Sequence, residues 1–303
     1  MALRSLDNAL PALQERPRKI AKVAAVKAED LVVATDENLA PPATAAEASV
    51  EYVASCDLLP LDDPETKVER LLEDLDSKDW LKLCEALNVV RRLALHHSSL
   101  MLPILDKVML VTMKAMKNPR SALCKTSIMA STDIISSSLG RTLLLNKDGA
   151  FDQLLLQLLL KASQDKKFVC EEAEKSLHEM ARSLPPIPLL KRLHLYVKHA
   201  NLKVRAKAAV YMSHCVSKMD FGVMKEFGLG NILHMAADLL NDRLPAARES
   251  ARGMINSVHR AFCGDHGRGE EGNGAEPSQL WQDFCFSNLR PSAAQSIAKI
   301  ILQ

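Results

Sequence analysis

Aromatic residues make up only 4% of this chain, and among its 303 residues there are just 11 glycines. Strand-rich folds draw on aromatic and β-branched residues punctuated by glycine turns. A chain rich in Leu, Ala and Lys instead points to helices. No apolar run reaches the roughly 18 uninterrupted residues that a membrane-spanning helix needs. A Gly-rich phosphate loop, a Gly-x-Ser-x-Gly elbow, a His-Glu-x-x-His helix and a Cys-x-x-Cys pair are all missing. The acid pairs Glu171-Glu172 and Glu270-Glu271 have no converging partner for acid–base work. His96, His97, His194 and His199 fall at helix ends or on polar faces. The nearest metal-like group is His259, Cys263 and His266, in which two ligands share a helix face, the third comes from a Gly-rich loop and no fourth is evident. The chain is therefore expected to be no enzyme, to hold no metal and to need no cofactor.

Seven cysteines, an odd number, sit mostly within apolar helical patterns and read as reduced core residues of a cytosolic or nuclear protein. Arg4, Asp7 and Glu15 interrupt any signal-peptide core, and the two acids also speak against a mitochondrial leader. Charge is unevenly placed. Residues 1–28 carry +4, residues 29–79 carry −12 and residues 80–303 carry +10. A basic body suits an acidic partner, although scarce aromatics speak against single-stranded nucleic acid.

Residues 1–62 contain Pro11, Pro17, Pro41, Pro42 and Pro60 and no sustained apolar period, apart from a short helical stretch between Lys19 and Val33. They read as a disordered leader. From Pro64 the pattern changes. Val68, Leu71, Leu72 and Leu75 recur at helical spacing, and after Asp76-Ser77-Lys78-Asp79 a second helix runs from Trp80 to about His96, with Asp79 as its N-cap. This helical hairpin recurs as 102–116 with 120–138, 149–163 with 168–184, 189–199 with 202–218, and 222–240 with 245–262. The small residues Ala86, Ser127, Ala173, Ala208 and Ala251 mark the second helices at spacings of 41, 46, 35 and 43. HEAT and armadillo units repeat at about 40–47 residues. The expected fold is all-α, a right-handed HEAT/armadillo-type solenoid of about five hairpins over 63–263. A flexible Gly-rich loop over 264–278 follows, then a capping helix or tail over 279–303, where Trp281, Phe284, Phe286 and Leu289 are available to cover the last repeat.

In a stacked solenoid the turns inside the hairpins align along one edge. Here they carry Lys78 and Trp80; Lys117, Asn118 and Arg120; Lys166, Lys167 and Phe168; Asn201 and Lys203; Asn241 and Arg243. An aromatic anchor with flanking bases is a partner-binding composition.

At these residues the chain resembles the TOG domains of microtubule-associated proteins, the CLASP and crescerin types in particular. Asp79-Trp80-Leu81-Lys82-Leu83-Cys84-Glu85-Ala86-Leu87 is similar to the opening of a TOG first repeat. Lys117-Asn118-Pro119-Arg120 followed by Leu139-Gly140 is similar to the second. The resemblance covers about residues 64–263 and implies that the turn edge binds αβ-tubulin or microtubules. Trp80 would be the apolar anchor, Arg120, Lys166 and Lys167 would meet an acidic surface, and Lys203 and Arg243 would extend the contact. It also implies a cytoplasmic, cytoskeleton-associated protein. TOG domains usually have six hairpins, against five clear ones and a tail here. The alternative is a general HEAT/armadillo adaptor that binds another protein on the concave face of the second helices, where Arg205 and Arg248 bridge repeats.

Overall fold

Helix starts follow from local chemistry. Pro64, Pro186, Pro245 and Pro291 are each the first residue of a helix, where the missing N–H would have had no partner anyway. The carboxylates of Asp63, Asp79 and Asp220 accept from the amides of Thr66, Leu81 and Val223, and the side chain of Asn201 accepts from Lys203 N–H. Each satisfies an otherwise orphaned first-turn donor. In the computed structural model, residues 52–146, 148–266 and 277–301 are described. The expected leader over residues 1–51, with its short helix, lies outside them, as do residues 267–276 of the expected loop.

Fifteen α-helices, and no strand, occur among the described residues. They are α1 (Pro64–Asp74), α2 (Trp80–His96), α3 (Ser98–Met101), α4 (Leu105–Met116), α5 (Ser121–Ser136), α6 (Ser138–Leu145), α7 (Ala150–Lys161) and α8 (Lys167–Ser183). Then come α9 (Pro186–His194), α10 (Leu202–Ser217), α11 (Phe221–Phe227), α12 (Leu229–Leu239), α13 (Pro245–His266), α14 (Pro277–Asn288) and α15 (Pro291–Ile301). Six hairpins result: α1/α2, α4/α5, α7/α8, α9/α10, α12/α13 and α14/α15. The second helices form one layer, with α2 against α5, α5 against α8, α8 against α10 and α10 against α13. Ala86, Ser127, Ala173, Ala208 and Ala251 are all buried in it, as expected of the small residues that let neighbouring helices approach.

Several boundaries differ from the sequence reading. The stretch expected as one helix over 222–240 is two, α11 and α12, parted at Gly228 with φ +96°, a backbone state that favours glycine. Helix α13 runs on to His266, past the expected start of the flexible loop at 264. The tail is a full sixth hairpin. Its Trp281 is buried, with its ring 5.4 Å from Phe262 and 5.0 Å from His259 of α13. Leu289 is buried as well, whereas Phe286 points outward. Gly140 lies in the first turn of α6 against the end of α5, and a Cβ there would lie 2.1 Å from the Ile135 carbonyl oxygen.

The largest departure is at residues 52–62, expected to belong to the disordered leader. Leu58 and Leu61 are buried. His96 Nε2 lies 2.8 Å from the Leu58 carbonyl, and Leu61 N–H donates to His97 Nε2 at 3.3 Å. Ser55 Oγ donates to Asp133 on α5 at 2.5 Å. Residues 52–61 thus form a strap across the second-helix layer.

Candidate partner-binding edge

Among the turns of the first five hairpins, four share one local hydrogen bond and the third does not. Asp79 in the first, Asn118 in the second, Asn201 in the fourth and Asp242 in the fifth each accept from a backbone amide two residues on, all at 2.9 Å. Such Asx turns hold the backbone stiffly. The third turn has no side-chain cap at Lys166. Asp165 instead reaches the next repeat and accepts from Lys203 Nζ at 2.8 Å. That contact lowers the Asp165 pKa and raises that of Lys203.

Trp80 is the first residue of α2 and half-buried, with part of its ring packed on the core. The Arg120 guanidinium of the next turn lies 5.2 Å from its ring centroid. Lys166 and Arg243 are exposed, and no ion pair of theirs occurs among the described residues. Lys167 is exposed 3.7 Å from Glu171 on its own helix. The structure therefore joins Trp80 to Arg120 and Lys203 to Asp165, and leaves Lys166 and Arg243 as open charges.

Arg205 bridges two repeats, whereas Arg248 stays within its own hairpin. Arg205 Nε is 3.2 Å from an Asp242 carboxylate oxygen, close enough for charge pairing though not aligned as a hydrogen bond. Arg248 Nη1 donates to the carbonyls of Asp242 at 2.7 Å and Arg243 at 3.1 Å. Between them they shape the fifth turn.

A second cation–ring group has no signature in the local sequence. Lys125 Nζ on α5 lies 4.2 Å from the Phe168 ring centroid and 4.5 Å from that of Tyr52. The two rings meet edge to face at 5.5 Å. Glu172 is 3.6 Å from the same ammonium. Further along the layer, Arg91 and Asp133 pair at 2.6 Å with side chains 1% and 2% exposed, and Ser55 closes over them. Burial pushes the Asp133 carboxyl up, and Ser55 and Arg91 partly offset it.

His259 Nε2 and Cys263 Sγ are 3.3 Å apart. Burial raises the Cys263 pKa and lowers that of His259. The side chain of His266 lies outside the described residues, and no group of three metal-ligating side chains occurs among those described. No described helix is long and apolar enough to cross a membrane.

No protein-family profile matches the chain. It is homologous to the TOG array regulator of axonemal microtubules protein 1 of Mus musculus, 28% identical over 173 residues, which is 57% of this chain and 10% of that protein. The Homo sapiens protein of that name is 28% identical over 138 residues, 46% of this chain and 8% of its own length. This chain thus matches about a tenth of the length of each. Among solved structures, the TOG domain of C. elegans Zyg9 superposes with a TM-score of 0.54 at 14% identity, covering 80% of this chain and 90% of that one. The N-terminal domain of MAST/Orbit superposes at 0.53 and 14% identity, covering 76% and 94%. The fold is that of these TOG helical repeats.

Proposed function

We propose that this chain is a non-enzymatic, cytoskeleton-associated protein that binds αβ-tubulin or microtubules through its intra-repeat turn edge. The observation that carries the reading is Trp80 at the first turn with Arg120 stacked on it, in a chain homologous to an axonemal microtubule regulator. The stacked guanidinium keeps its charge while holding the indole in one orientation. The edge then offers an apolar anchor with little freedom to lose on binding. Lys166, Lys167 and Arg243 supply positive charge that steers an acidic partner and makes binding sensitive to salt.

The adaptor reading, in which another protein binds the second-helix face, has less room. The strap from Tyr52 to Leu61 already lies across α2 and α5 and reaches α8.

The test is binding of the full chain to soluble αβ-tubulin and to polymerised microtubules at low salt. Trp80→Ala and the pair Lys166→Glu/Lys167→Glu are measured alongside, with folding checked by circular dichroism. Binding that both variants abolish supports the edge. No binding of the unaltered chain to either form at tens of micromolar refutes the reading.

A further inference from the structure

We propose that Tyr52 and Phe168 form a second aromatic anchor, and that the strap is the device that builds it. This rests on the tubulin-binding reading and extends its surface from the turn edge onto the flank of the second-helix layer. The occupant is the same acidic partner.

Two large rings stand together at the third turn, yet both remain open to water, Tyr52 at 37% and Phe168 at 42%. Rings whose purpose was to fasten the strap would be expected to bury. The fastening is done elsewhere, by Leu58 and Leu61 in the core and by Ser55 on Asp133.

Lys125 then locks the pair. Its ammonium sits against both rings and Glu172, and its side chain is only 16% exposed. Its charge is met inside the protein by Glu172 and the two rings, which themselves stay partly open to water. Rigid, pre-placed aromatics are what binding hot spots are made of, because little side-chain freedom is lost when a partner covers them.

Position ties the pair to the edge. Phe168 directly follows Lys166 and Lys167, both exposed. Arg120 and Lys125 lie five residues apart at the start of α5, about 7.5 Å along the helix. One packs on the ring of the preceding hairpin, Trp80, and the other on that of the following hairpin, Phe168. A single helix end therefore contacts two aromatic side chains on the repeats to either side of its own, with exposed lysines beside the second. That composition fits an acidic surface with apolar pockets.

The experiment measures affinity of the full chain for soluble αβ-tubulin with Tyr52→Ala, Phe168→Ala and Tyr52→Phe, each with its thermal midpoint. The two alanine variants are expected to weaken binding about tenfold each, with Tyr52→Phe within about twofold of the unaltered chain. A benzophenone side chain placed at position 52 is expected to crosslink to tubulin, a readout that a purely structural ring would not give. Unchanged affinity in both alanine variants, while Trp80→Ala abolishes binding, overturns the second anchor and leaves the edge standing. Tighter binding of Tyr52→Ala overturns it too, since the strap would then be a mask. If the unaltered chain does not bind, the tubulin reading itself has failed.

Discussion

Arg120 lies over Trp80 within reach of water, whereas Arg91, on the neighbouring second helix, is sealed against Asp133 by a strap serine. Both guanidiniums join the first hairpin to the second, and their surroundings decide what each does. At the edge the charge stays solvated and can meet a partner, so it contributes little to folding. In the layer the charge has lost its water and depends on one carboxylate, so it is a liability if that carboxylate goes. The difference teaches that two arginines at one repeat junction are set apart by burial, which leaves one solvated and makes the other depend on its partner.

The sharpest way to break the comparison is Asp133→Ala. It strands Arg91 in the layer and is expected to cost about 3–5 kcal/mol in denaturant unfolding. A loss under 1 kcal/mol would show that water reaches Arg91 and that the two arginines are alike. Next in size is Trp80→Ala, expected to cost about 2 kcal/mol of tubulin affinity, read by titration. Its effect on the thermal midpoint should be the smaller of the two changes, and the reverse order would make Trp80 a packing residue.

A smaller effect comes from the stretch of the layer beyond the strap. There His214 on α10 meets the rings of His178 and Tyr211, each at 5.5 Å. Burial, and then the nearness of His178, lower its pKa below 6.5. Below that pH the unfolded chain takes up the proton first, so stability should fall as pH drops from about 7 to 5.5. Above it both states are neutral and the slope vanishes. Chemical denaturation at the two pH values should show a smaller drop for His214→Gln. An identical drop would assign the slope to other groups.

The smallest effect belongs to the edge. Asp165→Asn frees Lys203 from its ion pair and should leave the thermal midpoint unchanged while raising the tubulin association rate at low salt by about twofold. A stability change without a rate change would place the Lys203–Asp165 pair with the structural contacts.

Much of this was legible in the chain. Asp79 read as an N-cap, and its carboxylate caps α2. The small residues on the second helices read as contact points, and all five are buried. Trp80 read as the first residue of the second helix, and α2 begins there. These features are local or periodic, and a sequence records both.

The strap was not legible, because Tyr52, Ser55, Leu58 and Leu61 span only ten residues, with Pro60 among them, and their partners are up to 116 residues away. The sixth hairpin was only half visible, since its helices lie beyond the Gly-rich stretch that broke the repeat count. Nor could the list of edge bases say that Lys203 is held by Asp165 while Arg243 is open.

The amino-acid sequence by itself determined the helices, their pairing into hairpins and the stacking period, because backbone capping and apolar spacing act over a few residues. Only the tertiary structure decided which charges are available to a partner and that the strap crosses the second-helix layer. Burial and ion pairing depend on what the fold brings alongside from distant repeats, and no local pattern encodes that.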